Sequence, residues 1–103
     1  MALTRDFKET VTARVQSDPA YARALLDEAV QFFVNGEPDA SKLILRDLIN
    51  ATVGFEALAQ EVDKPAKSLH RMLSQSGNPT MSNISAVFAA LQHAVTEPVR
   101  VYA

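Results

Sequence analysis

Residues 54–73 read GFEALAQEVDKPAKSLHRML, and this stretch decides the fold. Apolar residues recur at helical spacing on either side of a proline-containing break, which predicts two short helices, 55–62 and 66–74, joined by a tight turn. Pro65 suits the first turn of the second helix, where its missing N–H would have no partner in any case. The side chains expected to pack between these helices and against their neighbours are Leu58, Ala59, Val62, Leu69 and Leu73.

The second of these helices divides into two faces. Its apolar face holds Leu69, Met72 and Leu73, and its polar face holds Lys67, His70, Arg71 and Ser74. Two helices joined by a tight turn form the frame of a helix-turn-helix, whose second helix enters the major groove of DNA. Arg and Lys side chains donate to guanine O6 and N7, and Ser pairs with several bases. The side chains predicted to read bases are therefore Lys67, Ser68, His70 and Arg71. The alternative is an ordinary solvated helix edge.

The charge distribution makes the middle of the chain its cationic part. Residues 41–75 carry five Lys and Arg against four Asp and Glu, whereas residues 1–40 carry four against seven, and the whole chain has a net charge of −2. The residues predicted to contact DNA phosphates are Lys42, Arg46, Lys64, Ser74 and Asn78. Because the chain as a whole is acidic, DNA binding is expected to depend on dimerisation and on salt-sensitive phosphate contacts.

Helices are predicted on both sides of this centre. Their expected spans are about 6–17, 19–34, 37–51 and 82–93. Asp18 is the expected N-cap of the second of them, and Pro19 its first residue. Asn35 and Gly36 should end that helix, since Gly tolerates the left-handed conformation after a C-terminus. Thr80 or Ser82 should cap the last helix. The chain is therefore expected to be all-α.

The helix over 19–34 is apolar around much of its circumference, so it must be covered on more than one side. It is either the central core helix or a helix covered in part by a second chain, and the pattern leaves both interpretations open. The candidate partner or dimer residues on it are Tyr21, Leu25, Phe32 and Phe33.

The last residues differ from the rest of the chain. Pro98 is expected to stop the final helix, after which Val99, Val101 and Tyr102 alternate with other residues as in a short strand. A single strand is not stable alone, so this tail would either pair across a dimer or fray.

Length and composition narrow the function further. A chain of 103 residues with 48% hydrophobic and 21% charged residues fits one globular domain. There is no Cys, which excludes disulfides and thiolate chemistry, and the two His are far apart in sequence. No arrangement of nucleophile, base and orienting group is visible, so we expect no enzymatic activity, no metal and no cofactor. We also expect a cytoplasmic protein without a membrane span or signal peptide.

The stretch LILRDLINATVGFEALAQEVDKPAKSLHRMLSQSGNPTMSNISAVFAAL, residues 43–91, resembles the small helix-turn-helix antidote proteins (antitoxins) of bacterial addiction modules, which belong to the Cro- and phage-repressor-like class. The resemblance covers about residues 20–95. It implies a repressor-like bundle of about five helices, here with an extra N-terminal helix and a short extended C-terminal tail. The chain departs from the family pattern at Asp63, where Gly is usual, and at Lys64, where an apolar residue is common.

The resemblance also implies partners. Such an antitoxin neutralises a small, basic, RNase-type toxin by binding it, and represses its own operon as a homodimer on double-stranded operator DNA. We therefore expect a single domain over 1–103, with a partner or dimer surface in 1–36, a DNA-binding core in 41–95 and a tail in 96–103. Two alternatives remain at this point: a plain repressor without a toxin partner, and a protein-interaction module that does not bind DNA.

Overall fold

The described part of the chain is all-α, as predicted. The computed structural model describes the backbone of residues 2–100 and the side chains of residues 9–96. Within these limits there are six helices and no strand: α1 (Ala2–Ser17), α2 (Pro19–Val34), α3 (Pro38–Ala51), α4 (Gly54–Val62), α5 (Ala66–Met72) and α6 (Met81–Arg100). α1 begins four residues before its expected start.

The predicted helix ends are confirmed where a specific side chain or glycine forms them. The Asp18 carboxylate accepts hydrogen bonds from the backbone N–H groups of Ala20, at 3.1 Å, and Tyr21, at 3.3 Å, so it satisfies two donors that the helix leaves unpaired. Gly36 follows the end of α2 with a φ of +84°. Of the two candidate caps for α6, Thr80 is the one used, because its hydroxyl accepts from the N–H of Asn83 at 3.1 Å.

α3 is the helix around which the others assemble. It packs against α1, α2 and α4, and α6 covers α2 and α4 from another side. The largest apolar side chains that are fully removed from solvent come from four of the helices and from the residue after α5: Leu45, Leu48, Ile49, Leu58, Leu69, Leu73, Val87 and Leu91. α5, with only seven residues, contributes Leu69 to this core and is followed directly by Leu73. Its attachment to the bundle is therefore narrow.

α2 is a core helix. Tyr21, Leu25 and Phe33 are half-buried and pack against the buried cluster of the same chain, and their role in a surface for a second chain stays a prediction. The Phe33 ring meets the Phe88 ring of α6 edge-on, with centroids 5.7 Å apart. α1, α3 and α6 all contact α2, so much of its wide apolar face is covered within the chain. Phe32, the fourth candidate, is half-buried.

The apolar side chains that α2 leaves exposed are different ones. Val30 and Val34 lie one turn apart, and Val34 is 70% exposed. Periodicity alone did not single them out, because they occupy the flank of a helix that is apolar nearly all round.

The C-terminal prediction is wrong in part. α6 continues through Pro98 to Arg100, well past the expected end near residue 93, so no strand begins at residue 99. A proline removes one N–H from the helical ladder, and the bonds made by the other residues of the last turns persist. The side chain of Val99, together with Val101 and Tyr102, lies outside the described residues, and so does their predicted pairing across a dimer.

Candidate nucleic-acid interface

The connection between α4 and α5 is a turn of three residues, as the sequence predicts. Asp63 follows α4 with left-handed backbone angles, φ 57° and ψ 50°. This conformation lets the N–H of Lys64 donate to the carbonyl of Ala59 at 3.0 Å, which closes the end of α4. Pro65 is extended and its carbonyl accepts from the N–H of Leu69 at 3.2 Å, so it starts α5. Asp adopts left-handed angles more readily than most residues, which explains how the turn forms without glycine.

The inner face of α5 is anchored in the core, and its outer face is open. Leu69 and Leu73 have no exposed surface. Lys67, His70 and Arg71 are exposed and share one side of the helix, while Ser68 is half-buried. Among the described residues, no carboxylate pairs with the side chain of Lys67 or Arg71. The structure therefore brings together on one face the exposed members of the predicted base-reading set.

His70 differs from the two cations beside it because its ring is held. It stacks on the ring of Phe55 in α4, with centroids 3.9 Å apart and planes inclined by 19°. Phe55 is itself buried. The stack restricts the orientation of the imidazole, although His70 remains exposed. The sequence offers no signal for this contact, since it joins residues fifteen positions apart on two helices.

Two of the predicted phosphate contacts, Lys42 and Arg46, have other partners. The Lys42 ammonium donates to the carbonyls of Gln75, at 3.3 Å, and Gly77, at 2.8 Å. The Arg46 guanidinium donates through Nη1 to the carbonyl of Leu73 at 2.6 Å. Both cations therefore donate to main-chain carbonyls of the segment that follows α5, and their phosphate contacts stay a prediction.

Lys42 shows why the sequence was misleading here. Its side chain is 8% exposed, although spacing places it on what reads as a polar edge of α3. Its ammonium also lies 3.3 Å from a carboxylate oxygen of Asp39. The sequence pattern is the same for a lysine on a solvated helix edge and for a lysine that bonds to another segment. The two cannot be told apart because the partner atoms belong to the backbone.

The other phosphate candidates lie nearer to the surface. Lys64, in the turn, is half-buried, and Asn78, in the loop after α5, is exposed. The Ser74 hydroxyl donates to the carbonyl of Arg71 at 2.8 Å, so its proton is used within the chain. Lys64 and Asn78 thus flank α5 at its two ends, and both remain available to a ligand.

Gly77 is a structurally constrained position that sequence reasoning missed. A Cβ at this residue would collide with the backbone carbonyl oxygens of Arg71 and Met72. Its N–H donates to the carbonyl of Ser74 at 3.0 Å. Only glycine allows the loop to lie this close to the last turn of α5. The composition of residues 75–79 indicates a loop, but not which of its residues makes the approach.

A small cavity of about 170 Å³ lies beside this loop, between α3 and the start of α6. Its wall includes Phe33, Ile84 and the already bonded ammonium of Lys42. Over the part of the chain with described side chains, no three His, Cys, Asp or Glu residues gather to hold a metal ion. None of the helices described between residues 2 and 100 combines the length and the apolar character needed to cross a bilayer.

Comparison with protein-family models, with curated proteins and with solved structures gave no match for this chain.

Proposed function

We propose that this protein binds double-stranded DNA in a sequence-specific manner, with α4, the turn and α5 acting as a helix-turn-helix. One observation carries the proposal: the short helix α5 buries Leu69 completely, and on its outer face the cations Lys67 and Arg71 have no carboxylate partner among the described residues. Unpaired cations on a rigidly held helix are what reading of guanine edges requires.

Each residue of the outer face has a distinct role in the proposal. Arg71 donates in a bidentate manner to O6 and N7 of guanine, and Lys67 donates to a neighbouring acceptor. His70 presents an imidazole whose orientation is restricted by the stack on Phe55. Ser68 supplies a hydroxyl from a half-buried position. Lys64 and Asn78 contact phosphates on either side and set the register of α5 on the duplex.

The proposal extends to an antitoxin, on the resemblance and on the charge of the N-terminal third. Residues 1–40 carry four Lys and Arg against seven Asp and Glu. On α2, Asp27 and Glu28 are exposed close to the exposed Val30 and Val34. An acidic surface with apolar side chains complements a small basic RNase-type toxin, and opposite charge accelerates their association. In this role the protein would act in the cytoplasm, as a homodimer on its operator.

DNA reading is tested by selecting duplexes from a random pool with the full-length protein, then titrating the selected duplex and a scrambled duplex. We expect enrichment of a defined site. Arg71→Ala should weaken binding to that site by about 1–3 kcal/mol and relax one base position, with little effect on the scrambled duplex. A pool that shows no enrichment, or an Arg71→Ala variant that reads the site as well as the parent, would contradict the proposal.

Toxin binding needs a different variant, because removal of residues 1–36 would delete buried side chains such as Val11, Leu26 and Ala29. The double variant Asp27→Lys/Glu28→Lys changes only exposed residues. We expect it to bind a basic protein encoded beside its gene at least tenfold more weakly, mainly through a slower association rate, and to bind DNA no more weakly than the parent. Unchanged binding to that protein would favour the plain repressor. Toxin binding without any DNA binding would favour the interaction module.

A further inference from the structure

We infer that Lys42 and Arg46 are positioning residues for α5, which determine DNA sequence specificity through the backbone without touching DNA. The inference rests on the proposed function for its biological meaning, and on geometry for its mechanism. Lys42 and Arg46, both on α3, donate hydrogen bonds to three carbonyls of one segment. These carbonyls belong to the alternate residues Leu73, Gln75 and Gly77. We call this set of contacts the carbonyl clamp.

The carbonyl clamp acts at the C-terminal end of α5, where the helix has the fewest stabilising contacts of its own. A helix of seven residues leaves its last carbonyls without intrahelical donors, and it has few side chains to hold it in place. The clamp supplies cationic donors to the segment that follows, at the negative end of the helix dipole. Hydrogen bonds from charged donors are stronger than neutral ones, and burial of Lys42 shields its bonds from water.

The helix that provides the clamp is itself held firmly. α3 carries Leu45, Leu48 and Ile49, none of which is exposed. The buried hydroxyl of Ser41, next to Lys42, donates to the carbonyl of Ala29 in α2 at 2.7 Å. The clamp therefore ties the segment after α5 to a helix with a completely buried inner face.

The loop is shaped to meet the clamp. Gly77 brings the chain back against the carbonyls of Arg71 and Met72, and the carbonyl of Gly77 then accepts from Lys42. The side chain of Arg71 is proposed to read a base, and the backbone carbonyl of the same residue lies against the loop. A change in the clamp would move the reading side chain of Arg71 without removing it.

A phosphate contact and a positioning residue predict different results for the same substitution. Lys42→Met keeps most of the buried side chain but removes the donor. If Lys42 contacted phosphate, the variant would lose affinity for all sequences equally, and the dependence of log K on log[salt] would become shallower by about one. If it positions α5, affinity for the selected site falls about tenfold, affinity for a scrambled duplex changes less than twofold, and the salt dependence stays the same.

The experiment measures both DNA affinities for full-length Lys42→Met and Arg46→Met, at several salt concentrations. Lys64→Met is the control, since Lys64 is a proposed phosphate contact and should lower both affinities. Amide hydrogen exchange of residues 73–77 is recorded in parallel, without DNA. We expect faster exchange at Leu73 and Gly77 in the two clamp variants, and unchanged exchange in the middle of α3.

Equal loss on both duplexes with a shallower salt dependence would overturn the inference, and so would unchanged exchange at residues 73–77. If the parent protein binds no DNA at all, the proposed function fails. In that event the exchange data alone decide whether the carbonyl clamp holds the end of α5, because they do not involve DNA.

Discussion

Asp63 adopts a left-handed backbone conformation that usually favours glycine, and this conformation raises its backbone energy. It adopts φ 57° and ψ 50° at the end of α4. Left-handed angles cost a non-glycine residue roughly 1–2 kcal/mol, and somewhat less for Asp. Part of any gain from glycine is lost because glycine also increases the entropy of the unfolded chain.

We therefore predict that Asp63→Gly raises the free energy of unfolding by about 0.5 kcal/mol and that Asp63→Val lowers it by about 2 kcal/mol. Asp63→Asn is the matched control and should change it little, because Asn also tolerates these angles. Urea denaturation followed by circular dichroism measures all three. A Val variant as stable as the parent would show that the turn has rearranged.

Gly77 is constrained by space and Gly36 by backbone angles. A Cβ at Gly77 would meet backbone oxygens that cannot move independently, whereas a Cβ at Gly36 has nothing within 4 Å but requires a φ of +84°. We expect Gly77→Ala to destabilise the fold by about 2–3 kcal/mol and Gly36→Ala by about 1 kcal/mol. Only Gly77→Ala should also accelerate amide exchange at residues 73–77. If Gly36→Ala lowered the free energy of unfolding more than Gly77→Ala, this would contradict the close approach described for the loop.

The helices themselves follow from local signals, and α2 is the clearest example. Asp18 and Pro19 start it and Gly36 follows its end, so both ends are set by residues whose preferences do not depend on the rest of the fold. We predict that Asp18→Ala costs about 1 kcal/mol of stability, since two backbone donors lose their acceptor. The ion pair of Asp18 with Arg14, at 3.9 Å and largely exposed, adds little to this.

The measurement is thermal or urea unfolding of Asp18→Ala beside Asp18→Asn, which retains an acceptor for the cap. A loss of the same size in both variants would assign the effect to the ion pair rather than to the cap.

The predictions that failed concern the end of α6 and the surroundings of two cations on α3. Pro98 was expected to end α6, but the helix continues to Arg100. Lys42 and Arg46 were expected at the surface because periodicity describes only the helix that carries a side chain. Their partners are carbonyls about thirty residues later, and a carbonyl leaves no trace in a sequence. The outer face of α5 was predictable for the opposite reason, since exposure there follows from its own spacing.

At the scale of the whole molecule, the carbonyl clamp changes the electrostatics of DNA binding. Lys42 and Arg46 belong to the cationic segment 41–75, but their charges are directed to the backbone, in a chain with a net charge of −2. Within segment 41–75, Lys64, Lys67 and Arg71 remain for DNA. We therefore predict a slope of log K against log[salt] no steeper than about −2 per protomer.

This dependence is measured by fluorescence anisotropy of a labelled duplex between 50 and 200 mM salt. Lys64→Met should make the slope shallower by about one, whereas Asn78→Ala, which removes no charge, should leave it unchanged. A slope near −5 in the parent would mean that additional cations reach the phosphates.

The contacts of Lys42 and Arg46 have a consequence for engineering. Every amino acid has a main-chain carbonyl, so what holds the end of α5 does not depend on the identity of the side chains there. Provided that Gly77, Leu69, Leu73 and the His70 stack on Phe55 are kept, the exposed cations Lys67 and Arg71 are open to replacement without loosening the attachment of α5. Libraries randomised at positions 67 and 71 should therefore yield folded proteins with new target sites.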